Sequence, residues 1–303
     1  MRLLITGASG LLGSKVAELA VRLDYEVYST YNQHTPEYGH PIKINLLSNG
    51  SCDRVLEKVR PEAVVHSAAL TNVDLCEVNR EFAWKINVEG TAEIANLCNK
   101  YRCFMVFIST DYVFDGKKGM YNEEDTPSPV NYYGHTKLVA ENIVKSTLKD
   151  FCIVRTSVIY GARPAAGKVN FALWVIDNLM QGKEINVVSD QIVSPTFNTN
   201  LAEMILEVIQ RRLTGIYHLA GATSISRYTF AKLLAKEFNL AEELINETTS
   251  DKINWLAKRP KNTSLDVSKA WKTLMNKPLD IGEAIKQLRE EVIQSGILCK
   301  ELK

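Results

Sequence analysis

Three features of the sequence predict an α/β chain built on a doubly wound parallel sheet, with a smaller α/β domain after it. Short apolar runs alternate with helical patterns through the first half, a glycine-rich turn joins the first run to the first helix, and the second half is less regular. The runs "RLLIT", "YEVYST", "EAVVHSAA", "CFMVFIST" and "FCIVRTSVIY" read as buried strands rich in Val, Ile and aromatics. Between them, "SKVAELAVRL", "CDRVLEKV" and "FAWKINVEGTAEIANLCNKY" carry apolar residues at three- and four-residue spacing, as amphipathic helices do. Strand, helix, strand in series implies parallel pairing with helices on both faces.

In the second half, "FALWVIDNLMQG", "LAEMILEVIQRRL" and "YTFAKLLAKEFNL" read as helices, and "EINVV" and "GIYHLA" as strands. "GEAIKQLREEVIQ" reads as a surface helix without chemistry. The expected division is a dinucleotide-binding domain over 1–160 and a mainly substrate-binding domain over 161–303. Part of 190–212 returns to the first domain, which makes the boundary discontinuous.

Lys plus Arg number 36 against 35 Asp plus Glu, so a net charge of +1 supplies no global field for nucleic acid or acidic membranes. No apolar run approaches the roughly 18 residues that span a bilayer. "MRLLITGASG" runs too quickly into glycines for a secretory signal. Cysteines 52, 76, 98, 103, 152 and 299 form no CxxC pair and fall mostly within apolar patterns, which favours reduced, buried thiols. The histidines show no metal-ligand spacing, and no metal is expected. The expectation is a soluble, cytoplasmic protein with no nucleic-acid or membrane partner.

"ITGASGLLGSK" places Gly7, Gly10 and Gly13 between the first strand and first helix, as GxxGxxG. Glycines there permit a tight turn and let a pyrophosphate approach the backbone at a helix N-terminus, so a dinucleotide site is expected. The second strand ends in "STYNQH", with neither the acid that favours NAD nor an arginine that favours NADP. Thr30, Tyr31, Asn32 and Gln33 are left as hydrogen-bonding candidates, and the cofactor is NADPH or NADH. Asn45 and Leu46 offer a resting place for adenine, and Ala68 and Ala69 a close approach at the sheet edge.

"FISTDYVFDG" ends the fifth strand with Ser109 and Thr110, followed by Asp111, on the edge where open parallel sheets collect ligands. Tyr133 and Lys137 follow after a proline-marked turn. On a helix, residues four apart lie about 40° apart, whereas five apart lie about 140° apart. Tyr133, not Tyr132, is therefore the phenol that can act with Lys137. Reducing a ketone needs a hydride donor, a proton donor and a group polarising the carbonyl. A phenol with a pKa near 10 needs a neighbouring cation to serve at neutral pH. Lys137 is placed to be that cation and to hold a nicotinamide ribose, with Thr110 polarising the carbonyl.

The glycines, Thr110 and the Tyr133/Lys137 pair together resemble an extended short-chain dehydrogenase/reductase, which implies a Rossmann-type fold. "ALTNVDLCE", "STDYVFDG", "SPVNYYGHTKLVAE", "RTSVIYG", "SPTFNTNLAE", "GIYHLAG" and "RPKNTSLD" sharpen this to a resemblance to dTDP-4-dehydrorhamnose reductases, from Met1 to about residue 290. These enzymes reduce a 4-keto sugar nucleotide to finish dTDP-L-rhamnose. The resemblance implies Tyr133 as proton donor, Lys137 as its pKa-lowering partner and Thr110 as the polarising hydroxyl. It places Gly10, Leu11 and Leu12 at the pyrophosphate turn, and Ala69, Leu70 and Thr71 on the cofactor segment. Thr110, Asp111, Val158 and Arg259 are the expected substrate contacts, and a homodimer stays open as the assembly. Val158 stands where an aromatic often follows "RTS", while Asn45 and Thr30 stand where acids are usual.

Two other readings share these motifs. A nucleotide-sugar dehydratase carries Thr-Asp-Glu, but here Tyr112 follows Asp111; an epimerase would retain its cofactor tightly. The β subunit of methionine adenosyltransferase, a regulatory protein, shares "DYVFDG" and related stretches, although Thr110, Tyr133 and Lys137 are all intact here. In the carboxyl-terminal part, Ser194, Pro195 and Thr196 are expected to form a substrate-facing loop, and Arg259 to pair with a diphosphate oxygen.

Overall fold

A computed structural model describes residues 1–48, 50–165 and 168–296. The chain opens with β1 (Arg2–Thr6), α1 (Leu11–Arg22), β2 (Glu26–Tyr31) and β3 (His40–Lys43), followed by α2 (Ser51–Val59) and β4 (Ala63–His66). Next come α3 (Val73–Val78), α4 (Arg80–Trp84), α5 (Gly90–Tyr101), β5 (Phe104–Thr110), α6 (Tyr132–Thr147) and β6 (Phe151–Thr156). "FAWKINVEGTAEIANLCNKY" is not one continuous α-helix: a π-helical turn, Lys85–Glu89, separates α4 from α5. Such turns frequently mark functional sites, and this one carries the buried Asn87.

The second half adds β7 (Ile159–Tyr160), α7 (Phe171–Met180), β8 (Ile185–Val188), β9 (Ile192–Val193) and β10 (Thr196–Phe197). It continues with α8 (Asn198–Arg211), β11 (Gly215–His218), β12 (Ile225–Ser226), α9 (Arg227–Glu237) and β13 (Ile245–Thr248). The helices α10 (Ser268–Thr273) and α11 (Ile281–Ser295) complete the described chain.

Seven strands form one parallel sheet in the order β11-β6-β5-β4-β1-β2-β3. Residues of β1 alternate between its faces. Leu3 and Ile5 join a core with Val16 of α1 and Ile205 and Val208 of α8, while Leu4 joins Leu56, Ile94 and Val144 on the other side. Both faces are covered, which explains why the central strands are almost continuously apolar. A separate core gathers Ile176 of α7, Ile185 of β8, Phe230 and Leu234 of α9, and Leu288 of α11. Only one face of α11 is exposed; Ala284, Ile285, Leu288 and Val292 are buried.

Strand order reverses between β1 and β4, since β2 and β3 extend one way and β5, β6 and β11 the other. Ligands of open α/β sheets bind at the carboxyl ends of the strands beside such a reversal. Among the described residues no helix is long and apolar enough to cross a membrane. The five described cysteines are free and buried; Cys299 lies outside the described residues.

Candidate active site

The turn after β1 is shaped by close packing. Gly7 has φ +68°, and a Cβ there would lie 2.8 Å from the Ala68 nitrogen. A Cβ on Gly13 would lie 2.4 Å from the Gly7 carbonyl oxygen. These two glycines let α1 start directly against the ends of β1 and β4. Gly10 is the N-cap of α1, and no side chain caps the helix and no acid occupies its first turn. The amides of that turn and the positive helix end therefore suit an anionic diphosphate. A cleft lined by Ser9, Gly10, Leu11, Ser14 and Arg163 opens there.

The other expected cofactor residues surround this turn with differing roles. Thr30 is buried, its hydroxyl has no partner, and its carbonyl accepts the Ala8 N–H at 3.1 Å. Asn45 is exposed, and its side chain is spent on its own turn by accepting the Leu47 N–H at 2.9 Å. Leu46 packs beside Gly90 at the start of α5. Ala68, Ala69 and Leu70 are half-buried after β4, and Thr71 is exposed. Leu70 is clamped at both backbone groups by Asn87, which accepts its N–H at 2.8 Å and donates to its carbonyl at 3.1 Å. Asn87 also donates to Thr136 Oγ1 at 3.1 Å, tying this loop to α6. The motif pattern did not point to Asn87.

At the end of β5, Thr110 Oγ1 donates to Asp111 Oδ1 at 3.0 Å. The other Asp111 oxygen accepts from Ser157 Oγ at 2.8 Å and from Thr263 Oγ1 at 2.5 Å. Burial raises the Asp111 pKa, and these three hydroxyls and the Arg227 charge oppose the rise. Asp111 is 3% exposed and organises hydroxyls from three segments. Ser109 donates to Glu141 at 2.5 Å, leaving Thr110 as the strand-end hydroxyl beside Tyr133.

Asn131 caps α6 by accepting the Gly134 N–H at 2.9 Å. A Cβ at Gly134 would stand 2.1 Å from the Tyr112 carbonyl oxygen, so only glycine lets the helix start pack this closely. Tyr133 consequently meets Tyr112 edge-on, with ring centroids 6.2 Å apart. Tyr132 instead faces Arg80 and His135. Lys137 is buried one turn behind Tyr133, with Nζ 4.1 Å from the Phe107 ring centroid. Burial drives its pKa down to about 7, against which the Glu141 charge pulls upward. The phenol pKa of Tyr133 is raised, first by burial, with the Thr110 hydroxyl opposing and the Asp111 charge adding. Helical spacing places the pair in α6 as expected, but burial raises the phenol where a lowering by Lys137 was expected. Desolvation is the largest influence at both groups.

Beyond β6, Val158 is half-buried with φ +40°, a backbone region that branched side chains rarely adopt. It directly follows Ser157 at the Asp111 cluster. Two expectations need correction here. Ser194, Pro195 and Thr196 are buried, not substrate-facing: Ser194 Oγ accepts the Leu265 N–H at 3.1 Å, and Thr196 Oγ1 accepts the Gly221 N–H at 3.2 Å. Arg259 is committed within the protein, donating to Asp74 Oδ2 and to the Ala257 carbonyl, each at 3.0 Å, with Trp255 beneath it. It is therefore not the free cation expected for a diphosphate. Asp111, expected among the substrate contacts, is buried and holds the hydroxyls of Thr110, Ser157 and Thr263. Arg227, which sequence reasoning passed over, enters from α9, and its charge opposes the rise that burial imposes on the Tyr112 phenol. A signal for it existed, because a cation in the first turn of a helix opposes the helix dipole.

Residues 1–293 match the family model described as RmlD substrate binding domain. The chain is 31% identical over 267 residues to the probable low-salt glycan biosynthesis reductase Agl14 of Haloferax volcanii, covering 87% of this chain and 89% of that protein. It is 30% identical over 274 residues to the methionine adenosyltransferase 2 subunit beta of Xenopus tropicalis, covering 88% and 81%. Among solved structures, the dTDP-4-dehydrorhamnose reductase of Bacillus anthracis in complex with NADP superposes with a TM-score of 0.86 at 30% identity, covering 96% and 99%. A match over nearly the whole chain, with the sheet order and the Thr110, Tyr133 and Lys137 arrangement described above, places this chain in the RmlD substrate binding domain family, among the relatives of dTDP-4-dehydrorhamnose reductase.

Proposed function

We propose that the protein is an NADPH- or NADH-dependent reductase of the 4-keto group of a nucleotide sugar, with dTDP-4-dehydro-L-rhamnose as the leading substrate and dTDP-L-rhamnose as product. The observation that carries this is the meeting of Thr110 and Tyr133 at the carboxyl edge of β5, with Lys137 one turn behind. They lie on the sheet edge from which the uncapped end of α1 starts. That helix end, the Leu70 loop held by Asn87 and the buried hydroxyl of Thr30 suit a dinucleotide. When bound, the nicotinamide supplies the hydride.

Tyr133 delivers the proton to the oxygen that becomes the alcohol. Its raised pKa keeps the phenol protonated before reaction. Thr110 stands beside it with its hydrogen given to Asp111, and a ketone oxygen arriving between the two hydroxyls competes for that hydrogen. Lys137, poised near neutrality, stabilises the phenolate left after transfer and returns a proton to it. Oxidation of NADPH or NADH followed across dTDP-, UDP- and GDP-linked 4-keto sugars tests this. Turnover with at least one of them is expected, and none with any would refute it.

The likeness to the methionine adenosyltransferase subunit favours a second reading, a regulatory subunit that binds a catalytic partner. Its signature would be co-purification with an adenosyltransferase and no ketone reduction. Elimination is less well served, because Tyr112, buried and edge-on to Tyr133, follows Asp111 where a dehydratase needs a second acid, while NAD that survives purification would favour an epimerase.

A further inference from the structure

Arg227 is the first residue of α9, where the helix dipole disfavours positive charge. Its side chain is nonetheless fixed there. Nε donates to Gln191 Oε1 at 3.0 Å, the backbone N–H donates to the Gln191 carbonyl at 3.0 Å, and the guanidinium lies 5.3 Å from the Phe171 ring centroid. Next to Gln191, the Ile192 carbonyl accepts the N–H of Thr263, whose hydroxyl donates to Asp111, so this segment borders the Asp111 cluster, and the guanidinium charge acts on both Asp111 and the Tyr112 phenol. Gln191 is itself 3% exposed, and its Nε2 has no partner.

No carboxylate pairs with Arg227 within 4.0 Å among the described residues. The other guanidinium whose charge reaches Tyr112, that of Arg259, is already paired with Asp74. Asp111 has committed both oxygens to three hydroxyls. A half-buried cation at the wrong end of a helix, held rigid by neutral partners and with no carboxylate in ion-pair contact, has room for an anion from outside the chain. The ligand class read above carries one in its diphosphate, and a planar fork held by neutral partners is preorganised to bind it at two oxygens.

We propose that Arg227, oriented by Gln191 and Phe171, is the residue that receives the diphosphate of the nucleotide sugar beside Tyr112. The proposal rests on the nucleotide-sugar reading. It assigns the substrate-anchoring charge to a guanidinium without an ion-pair partner, whereas Arg259 is already paired with Asp74.

The test is calorimetric titration of the full-length protein with dTDP, UDP and GDP, the corresponding monophosphates, and NADPH. Arg227→Gln should weaken binding of the preferred diphosphate by roughly 10- to 100-fold while leaving the monophosphate and NADPH nearly unchanged. Arg227→Lys, which keeps the charge and loses the fork, should recover part of the loss; if Arg227→Gln melts early, it carries the comparison instead, with a smaller loss. Unchanged diphosphate affinity overturns the proposal, and so does an equal loss for diphosphate, monophosphate and NADPH. A wild-type protein that binds none of the diphosphates refutes the nucleotide-sugar reading itself. One that binds them as well as its Arg227→Gln variant does refutes only the assignment of Arg227.

Discussion

Thr110 donates its hydroxyl hydrogen to Asp111 across 3.0 Å, and the same carboxylate gathers hydroxyls from Ser157 and Thr263. Ser157 directly follows β6, and Thr263 comes from the carboxyl-terminal part of the chain, so one buried acid sets where the threonine proposed to polarise the ketone points. An amide in its place offers one acceptor oxygen and a donor group that faces other donors. Asp111→Asn should therefore lower kcat by roughly 10- to 100-fold, with the cofactor Kd little changed. Steady-state kinetics paired with NADPH titration measures both quantities.

Lys137 gives the protein a distinct dependence on pH. Its folded pKa is near 7, whereas an unfolded lysine keeps its ordinary value of 10.5. Between these values the unfolded chain holds a proton that the folded chain lacks, so this group's contribution to stability rises with pH. Compared with Lys137→Met, the cofactor-free wild type should gain about 1 kcal/mol per pH unit above pH 7. Urea unfolding at pH 7 and pH 9 checks the sign, which would be reversed if the ammonium were favoured by the fold.

Glu141 and Arg155 form a buried ion pair, Oε2 to Nη2 at 2.7 Å, with both side chains at most 2% exposed. Glu141 lies one turn beyond Lys137 and also holds Ser109. Removing the acid alone strands a buried guanidinium, so Glu141→Ala should cost about 3–5 kcal/mol in denaturant unfolding. Replacing both residues by apolar ones of similar size should restore most of that loss.

The strands and the shared helix of Tyr133 and Lys137 were legible because their signals are local: apolar runs for the strands, and a four-residue spacing for the two side chains. The π-helical turn at Lys85–Glu89 was not, since one turn of altered pitch leaves the helical apolar pattern around it intact. Ser194, Pro195 and Thr196 read as an exposed turn from composition, yet tertiary packing spends both hydroxyls on backbone amides. Arg259 resembled a free cation until the fold brought Asp74, 185 residues earlier in the chain, beside it. Helical spacing predicted who faces whom at Tyr133 and Lys137, but desolvation, which sequence does not carry, sets their pKa values.

The most direct test replaces Tyr133 by phenylalanine, which removes one oxygen and keeps the ring that packs against Tyr112. Ketone reduction under saturating cofactor should fall by roughly 10²- to 10⁴-fold, with NADPH binding and thermal stability preserved. Undiminished turnover in that variant would contradict the assignment of this phenol as the proton donor.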